Sequence, residues 1–549
     1  MLLMSLKIMQ NNWLKSILFF VLASVSLSSC GQGEKKTNPV DSLKKSWSQT
    51  IPGNFSDQSK AIFDSTELVS FIKNYPDFKP YTADIGDFYK RRKYSYAWFN
   101  DGVLIEQAGN LFSRVSNLQD EGVYKSAPYQ KVLDSLVYNS KKEGTDVQLE
   151  LMLTAQYFVF SKLAWNGMSS TVSKSLNWYL PRKKVAYNEY LDSILKIKGK
   201  AAPATEPVYR QYELLRNYLS KYRKLDSLDN WLPFTIKKGS VKPGDTSSVI
   251  PLVKARLYKL GDYHADTVNN NFDTLLATAL KHFQARHGLI NNGLLNTATV
   301  AELNVPLKSR IKQLLVNMER CRWLPLSLNS DYLVVNIPEF KLHVYHADSL
   351  LWSCNVVVGQ TVHQTTVFYG EIQYIVFSPY WNVPPSIVQK EVLPAMRKRA
   401  NYLAKEHMEI TGYRDGLPVV RQKPGPENSL GLVKFLFPNS YNIYLHDTPS
   451  KSLFSESSRG FSHGCIRIQE PFKLATFLLK DYPAWSTAKI DQAMDSGKEQ
   501  TVTLTKKVPV FIAYFTAFID RDNTLNFRND IYNHDEKLAS MILSGKGDY

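Results

Sequence analysis

The sequence predicts a multidomain α+β protein. It has a helical scaffold toward the N-terminus, a compact three-helix unit, and a mostly-β C-terminal domain carrying a helical lid insertion. Three observations carry this reading. The 549 residues are too many for one core and suggest three or four units. From about 61 to 305, apolar residues recur at three- and four-residue spacing. From about 331 the period falls to two, in β-branched and aromatic runs punctuated by turn residues. The composition, 44% hydrophobic and 21% charged, is that of a folded chain and argues against a disordered or fibrous one. Lys and Arg outnumber Asp and Glu by 67 to 50, a formal charge of +17. That favours an anionic partner such as nucleic acid, an acidic membrane surface or an acidic polymer, although a solvated basic surface accounts for it equally. Four cysteines exclude a disulfide-stapled scaffold.

Residues 1–30 read as an export signal. Lys7 and Lys15 precede the apolar run 17–27, which is too short to span a membrane comfortably. Leu27-Ser28-Ser29-Cys30 resembles a bacterial lipobox, which implies a lipidated Cys30 as the first mature residue. The expectation is a body tethered by lipid to a bacterial membrane, in the periplasm or cell envelope, which argues against a nucleic-acid partner. Residues 31–60 are small and polar and read as a flexible tether.

Residues 61–235 form the scaffold region. Leu149, Met152, Leu153, Gln156, Phe160 and Leu163 fall at helical spacing and stop at Gly167. The run from Ala201 to Pro207 separates two helical stretches, and no catalytic constellation is visible here. In the unit 240–305, Ile250, Val253, Leu257 and Leu260 share one helix face, with Ser247 or Ser248 as N-cap and Gly261 past the last turn. A second helix carries Leu276, Leu280 and Phe283 and stops at Gly288, and a third holds Val300 and Leu303. Leu260-Gly261-Asp262, Phe283-Gln284, His287-Gly288-Leu289, Gly293, Thr299 and Leu303-Asn304 resemble the three-helix peptidoglycan-binding domain. His287 reads better as a cap or core residue than as a ligand.

Strands are expected at 332–337, 342–345, 355–358, 374–377, 443–445 and 508–513, within a catalytic domain spanning 331–540. Residues 385–430 are helical, then Pro/Gly-rich to Lys423-Pro424-Gly425-Pro426-Glu427, a long insertion of the kind that forms lids.

The chemistry concentrates between 444 and 467. Tyr444-Leu445-His446-Asp447 is followed by Phe461-Ser462-His463-Gly464-Cys465-Ile466-Arg467. A cysteine attacks as thiolate, and a nearby imidazole can take its proton. Nineteen positions lie between His446 and Cys465, counted to the cysteine, enough to return both side chains to one end of a sheet. Gly464 leaves room for a substrate backbone, and unpaired amides around Gly464 and Cys465 are candidates to stabilise an oxyanion. The string His446, then Ser462-His463-Gly464-Cys465, one residue and Arg467, with sixteen residues separating His446 from His463, resembles the L,D-transpeptidase (YkuD) signature. Asn317-Met318-Glu319-Arg320, Arg322-Trp323-Leu324-Pro325, Trp381-Asn382-Val383-Pro384-Pro385 and Phe437-Pro438-Asn439 are similar to the large YcbB-type subfamily.

That resemblance implies a peptidoglycan L,D-transpeptidase acting on stem peptides and their glycan. Cys465 would form a thioester, D-Ala would leave, and a neighbouring stem amine would complete a 3→3 crosslink. His446 is the expected general base, tuned by backbone near Asp447, while His463 orients substrate or the oxyanion site; the two roles are exchangeable at this stage. Arg467 binds a stem carboxylate or, preferably, pins the loop. Trp381 and Asn382 line the cleft, or Trp381 packs in a core. No cofactor and no metal are expected, since the spent peptide bond supplies the energy and no zinc-type ligand spacing occurs. Ser-x-x-Lys at Ser42, Ser70, Ser193 and Ser309 lacks the companion motifs of a serine transpeptidase. Carboxypeptidase or D-amino-acid exchange on the same stems, or a non-catalytic wall-binding lipoprotein, remain the alternatives. Cys321 and Cys354 are expected not to pair.

Overall fold

The computed structural model of this protein describes residues 60–140, 144–196, 206–237, 239–325 and 330–549. Cys30, the leader and nearly all of the tether lie outside the described residues. Among the described residues, no helix is long and apolar enough to cross a membrane.

The scaffold is organised around the helix Val147–Phe160. Asp146 starts it by accepting from the amides of Gln148 and Leu149, a cap worth about 1 kcal/mol. The sequence pattern suggests one apolar stripe, but residues 149–160 are buried on every side. Even Glu150 is enclosed, where it accepts from the amides of Ala97 and Trp98 and from the Tyr89 hydroxyl. A wide turn, Ser161–Asn166, carries the chain to Gly167 at φ +70°. A Cβ there would sit 2.4 Å from Glu319 Oε1, so two elements meet at this glycine.

The three-helix unit encloses its own core of Ile250, Val253, Leu257, Leu276, Leu280, Phe283, Val300 and Leu303. Its helices are Ile250–Leu260, Thr274–Arg286 and Thr297–Leu303. Neither serine is the N-cap of the first: Val249 holds that place with no side-chain cap. Gln284 is fully buried and its amide holds the Leu294 carbonyl and the Thr299 hydroxyl. His287 is also buried, with Nδ1 on the Phe283 carbonyl at 2.7 Å and its ring stacked on Phe527. Its role is therefore packing against the C-terminal domain.

The helix Leu307–Arg322 joins the modules, which explains the Asn317–Arg322 string. Asn317 donates to the Thr516 hydroxyl and accepts from its amide. Arg320 pairs with Asp535 at 2.7 Å. Glu319 accepts from the Met168 amide and pairs with Arg322, whose guanidinium also donates to the Ala164 carbonyl. Such buried charges hold only when fully paired, and these are.

The C-terminal domain is built on a ten-stranded sheet. Val433–Leu436 pairs with both Leu445–His446 and Val367–Phe377, so eight strands close into a barrel without free edges. A scaffold strand, Trp178–Tyr179, joins the sheet in parallel beside Val367, and Trp178 packs on Trp323. Scaffold and barrel share one continuous core. The strand expected at 443–445 is observed at Leu445–His446. The insertion contains the expected helical turns between 385 and 405, and also a hairpin, Met408–Arg414 with Leu417–Gln422. That hairpin and Trp381–Asn382 make a three-stranded sheet over a small core of Val383, Val388, Val392 and Val420. The sequence reading missed it because the hairpin is half exposed on both faces, which blurs the period. Cys321 and Cys354 are free and buried.

Candidate active site

Two short parallel strands position the site. Leu445–His446 runs beside Ile466–Ile468 with Leu445 opposite Ile466 and His446 opposite Arg467. Leu445, Ile466 and Ile468 are fully buried, each contributing about 1.5–3 kcal/mol and locking the register. Because side chains alternate, Tyr444, His446, Cys465 and Arg467 share the opposite face.

The Cys465 thiol donates to the Asn442 carbonyl at 3.5 Å. Burial pushes its pKa up, opposed by the Tyr444 backbone and hydroxyl and by Arg467. His446 is buried, and its Nδ1 holds the Asp447 carbonyl at 2.5 Å. Burial, with Arg467 adding repulsion, lowers its pKa to about 3. At neutral pH the imidazole is therefore uncharged, with Nδ1 carrying the proton and Nε2 available to receive one. Burial thus favours the neutral form of both the thiol and the imidazole.

The loop 462–465 is stitched locally. The Ser462 hydroxyl donates to the Cys465 carbonyl at 2.5 Å and accepts from the Gly464 amide at 3.0 Å. The expectation that amides at both Gly464 and Cys465 face an oxyanion is thereby narrowed: the Gly464 N–H is already engaged. Gly464 itself sits at φ +114°, where an L side chain is strained, although a Cβ would touch nothing closer than 3.8 Å. Its glycine answers a backbone requirement rather than a need for room.

The remaining candidates separate. His463 points to the insertion, with Nε2 3.0 Å from Glu391 Oε1, and its ring lies tilted against that of His363 with centroids 5.2 Å apart. Arg467, expected to bind a stem carboxylate or to pin the loop, has a buried Nε with no hydrogen-bond partner among the described residues. Asp447 is buried; it accepts from the Leu432 amide and pairs with Lys451, bracing the turn before Val433–Leu436. Trp381 packs against the insertion's core, and Asn382 is exposed in that small sheet. Tyr444 was not singled out from sequence, although its place two residues before His446 puts it on the same strand face. Among the described residues, no group of three or more His, Cys, Asp or Glu is placed to hold a metal ion.

Comparisons with known proteins follow the same division. Residues 330–510 match the L,D-transpeptidase catalytic domain (YkuD), 83–219 the Scaffold domain, and 246–303 the "Putative peptidoglycan binding domain". A curated protein of Haemophilus influenzae named "Putative L,D-transpeptidase" is 32% identical over 243 residues, covering 41% of this chain. The chain spans about half of that relative's length, 49%. An L,D-transpeptidase of Stackebrandtia nassauensis is 15% identical, covering 53% of this chain and 100% of its own, at a TM-score of 0.22. One from Mycobacterium smegmatis is 13% identical, covering 34% and 59%, at 0.19. Both scores are too low to bear on the architecture. Residue strings and domain matches agree in order and position: the chain carries, in sequence, segments that match a scaffold domain, a peptidoglycan-binding domain and a YkuD L,D-transpeptidase catalytic domain.

Proposed function

We propose that this protein is a peptidoglycan L,D-transpeptidase forming 3→3 crosslinks through a Cys465 thioester. The observation that carries this reading is the shared strand face of Tyr444, His446, Cys465 and Arg467. It supplies a nucleophile, a neutral base and a cation in one place.

His446 takes the thiol proton as Sγ attacks the carbonyl between the third residue and the D-Ala of a tetrapeptide stem. The C–N bond breaks, His446 returns the proton to the D-Ala amine, and D-Ala leaves. An amine of a neighbouring stem then attacks the thioester carbon and expels Sγ, which recovers its proton through His446. Arg467, with an unpartnered buried Nε, is placed to hold an anionic group of the stem. The peptidoglycan-binding unit raises the local concentration of stems around the barrel.

Purified residues 31–549 incubated with disaccharide tetrapeptides should give crosslinked dimers with loss of one D-Ala, read by mass spectrometry. Tripeptide alone would make the protein a carboxypeptidase, and unchanged stems would overturn the reading.

The same proposal places the protein in the cell envelope, anchored through lipid on Cys30. Cys30→Ser should shift it from the membrane fraction to the soluble one, or block its processing, on immunoblots. Undiminished membrane retention would mean that another element anchors it.

A further inference from the structure

A closed ring of hydrogen bonds lies behind the catalytic loop, built from residues far from it in sequence. Thr365 is 1% exposed, in the turn after the strand Ser349–Gly359. Its hydroxyl donates to the Gly464 carbonyl at 2.8 Å and accepts from the Gly359 amide at 2.9 Å. Both capacities of that hydroxyl are used, so its orientation is set from both sides. Tyr532, from the C-terminal segment, donates its hydroxyl to the Gly359 carbonyl at 2.6 Å and accepts from the Thr365 amide at 3.2 Å. The turn packs closely on Gly359, where any Cβ would clash with the His363 carbonyl oxygen, so only glycine fits.

The carbonyl that Thr365 holds belongs to the peptide joining Gly464 to Cys465. In a trans peptide the C=O and the following N–H point in opposite directions. Fixing the Gly464 carbonyl toward Thr365 therefore turns the Cys465 N–H away from the ring. Ser462 reinforces this arrangement by engaging the Gly464 amide and the Cys465 carbonyl on either side of the same peptide. The Cys465 amide has no acceptor among the described hydrogen bonds outside regular structure.

We infer that Thr365, braced by Tyr532, is a positioning residue that aims the Cys465 amide at the oxyanion formed when the thiol adds to a stem carbonyl. The inference rests on the acyl-enzyme reading above. It predicts a specific defect. Thr365→Val keeps the shape but can neither donate to Gly464 nor accept from Gly359. Misaimed, the amide no longer meets the charge that develops in the transition state, where one such donor is worth about 10²–10³ in rate. Because the donor is displaced rather than deleted, the loss should be about tenfold to hundredfold in kcat on tetrapeptide stems. KM should stay within about twofold, since substrate binding does not use this amide.

Alkylation of Cys465 by iodoacetamide separates positioning from general damage. That reaction consumes the thiolate by displacement of iodide and forms no oxyanion. Thr365→Val should alkylate at the wild-type rate while its turnover falls, and Thr365→Ser should restore turnover. If Thr365→Val folds poorly, Tyr532→Phe removes only the brace and should show the same split with a smaller loss. Full turnover by Thr365→Val beside an active wild type would overturn the inference alone. Parallel loss of alkylation and turnover, without rescue by serine, would also overturn it, leaving a structural threonine. A wild type that neither turns over stems nor forms an acyl-enzyme would overturn the acyl-enzyme reading, and the inference with it.

Discussion

Cys465→Ser is expected to abolish crosslinking, by about four orders of magnitude or more, while leaving the fold and wall binding intact. The substitution changes one atom at a half-buried position whose sulfur donates a long hydrogen bond to the Asn442 carbonyl and meets the Tyr444 backbone and hydroxyl. Packing therefore loses little. Chemistry loses far more, because a hydroxyl is a much weaker acid than a thiol whose ordinary pKa is about 8.5. Burial already pushes the Cys465 thiol up, and the counteracting bonds from Tyr444 and the charge of Arg467 would do less for an alkoxide. The measurement is intact-protein mass after incubation with tetrapeptide stems, together with crosslink yield. Wild type should show the acyl adduct and the serine variant none. An adduct on Cys321 or Cys354 would overturn the mechanism. Burial argues against either, since it pushes Cys354 up to about 11 and Cys321 higher still.

His446→Ala is expected to lower the acylation rate by about 10²–10⁴-fold, the range for removing a general base. At neutral pH the wild-type imidazole is uncharged, because its pKa is held near 3. Its protonation should therefore not limit the reaction until the pH falls toward that value. Without it the thiol must ionise unaided. The thiolate fraction rises about tenfold per pH unit below the thiol pKa, so the variant should recover with increasing pH at about that slope. A pH–rate profile for both proteins checks this. A variant that stays flat with pH would show that His446 holds the loop rather than the proton. His463→Ala should cost less, about tenfold, because its ring contacts Glu391 and His363 rather than the strand face of the thiol. A greater loss for His463→Ala than for His446→Ala would exchange the two roles.

The sequence by itself determined the modular order, the change of period near residue 331 and the string that makes His446 and Cys465 the candidates for the chemistry. These were legible because they are local. Helical and strand periods repeat within a few residues, and Ser462 to Arg467 is one contiguous string. His287 could also be read as a cap or core residue, and it is buried. Only the tertiary structure decided what each neighbour of Cys465 does. The Gly464 amide is consumed by Ser462, Asp447 braces a turn, and Arg467 keeps an unpartnered donor. Tyr444 joins the site because two strands lie parallel in one register. Thr365 lies 99 residues before Gly464, and Tyr532 lies 173 after Gly359. No local period or spacing encodes such contacts. They exist only because a closed barrel returns distant turns to the same end, where buried hydroxyls and carbonyls must find one another or remain unsatisfied.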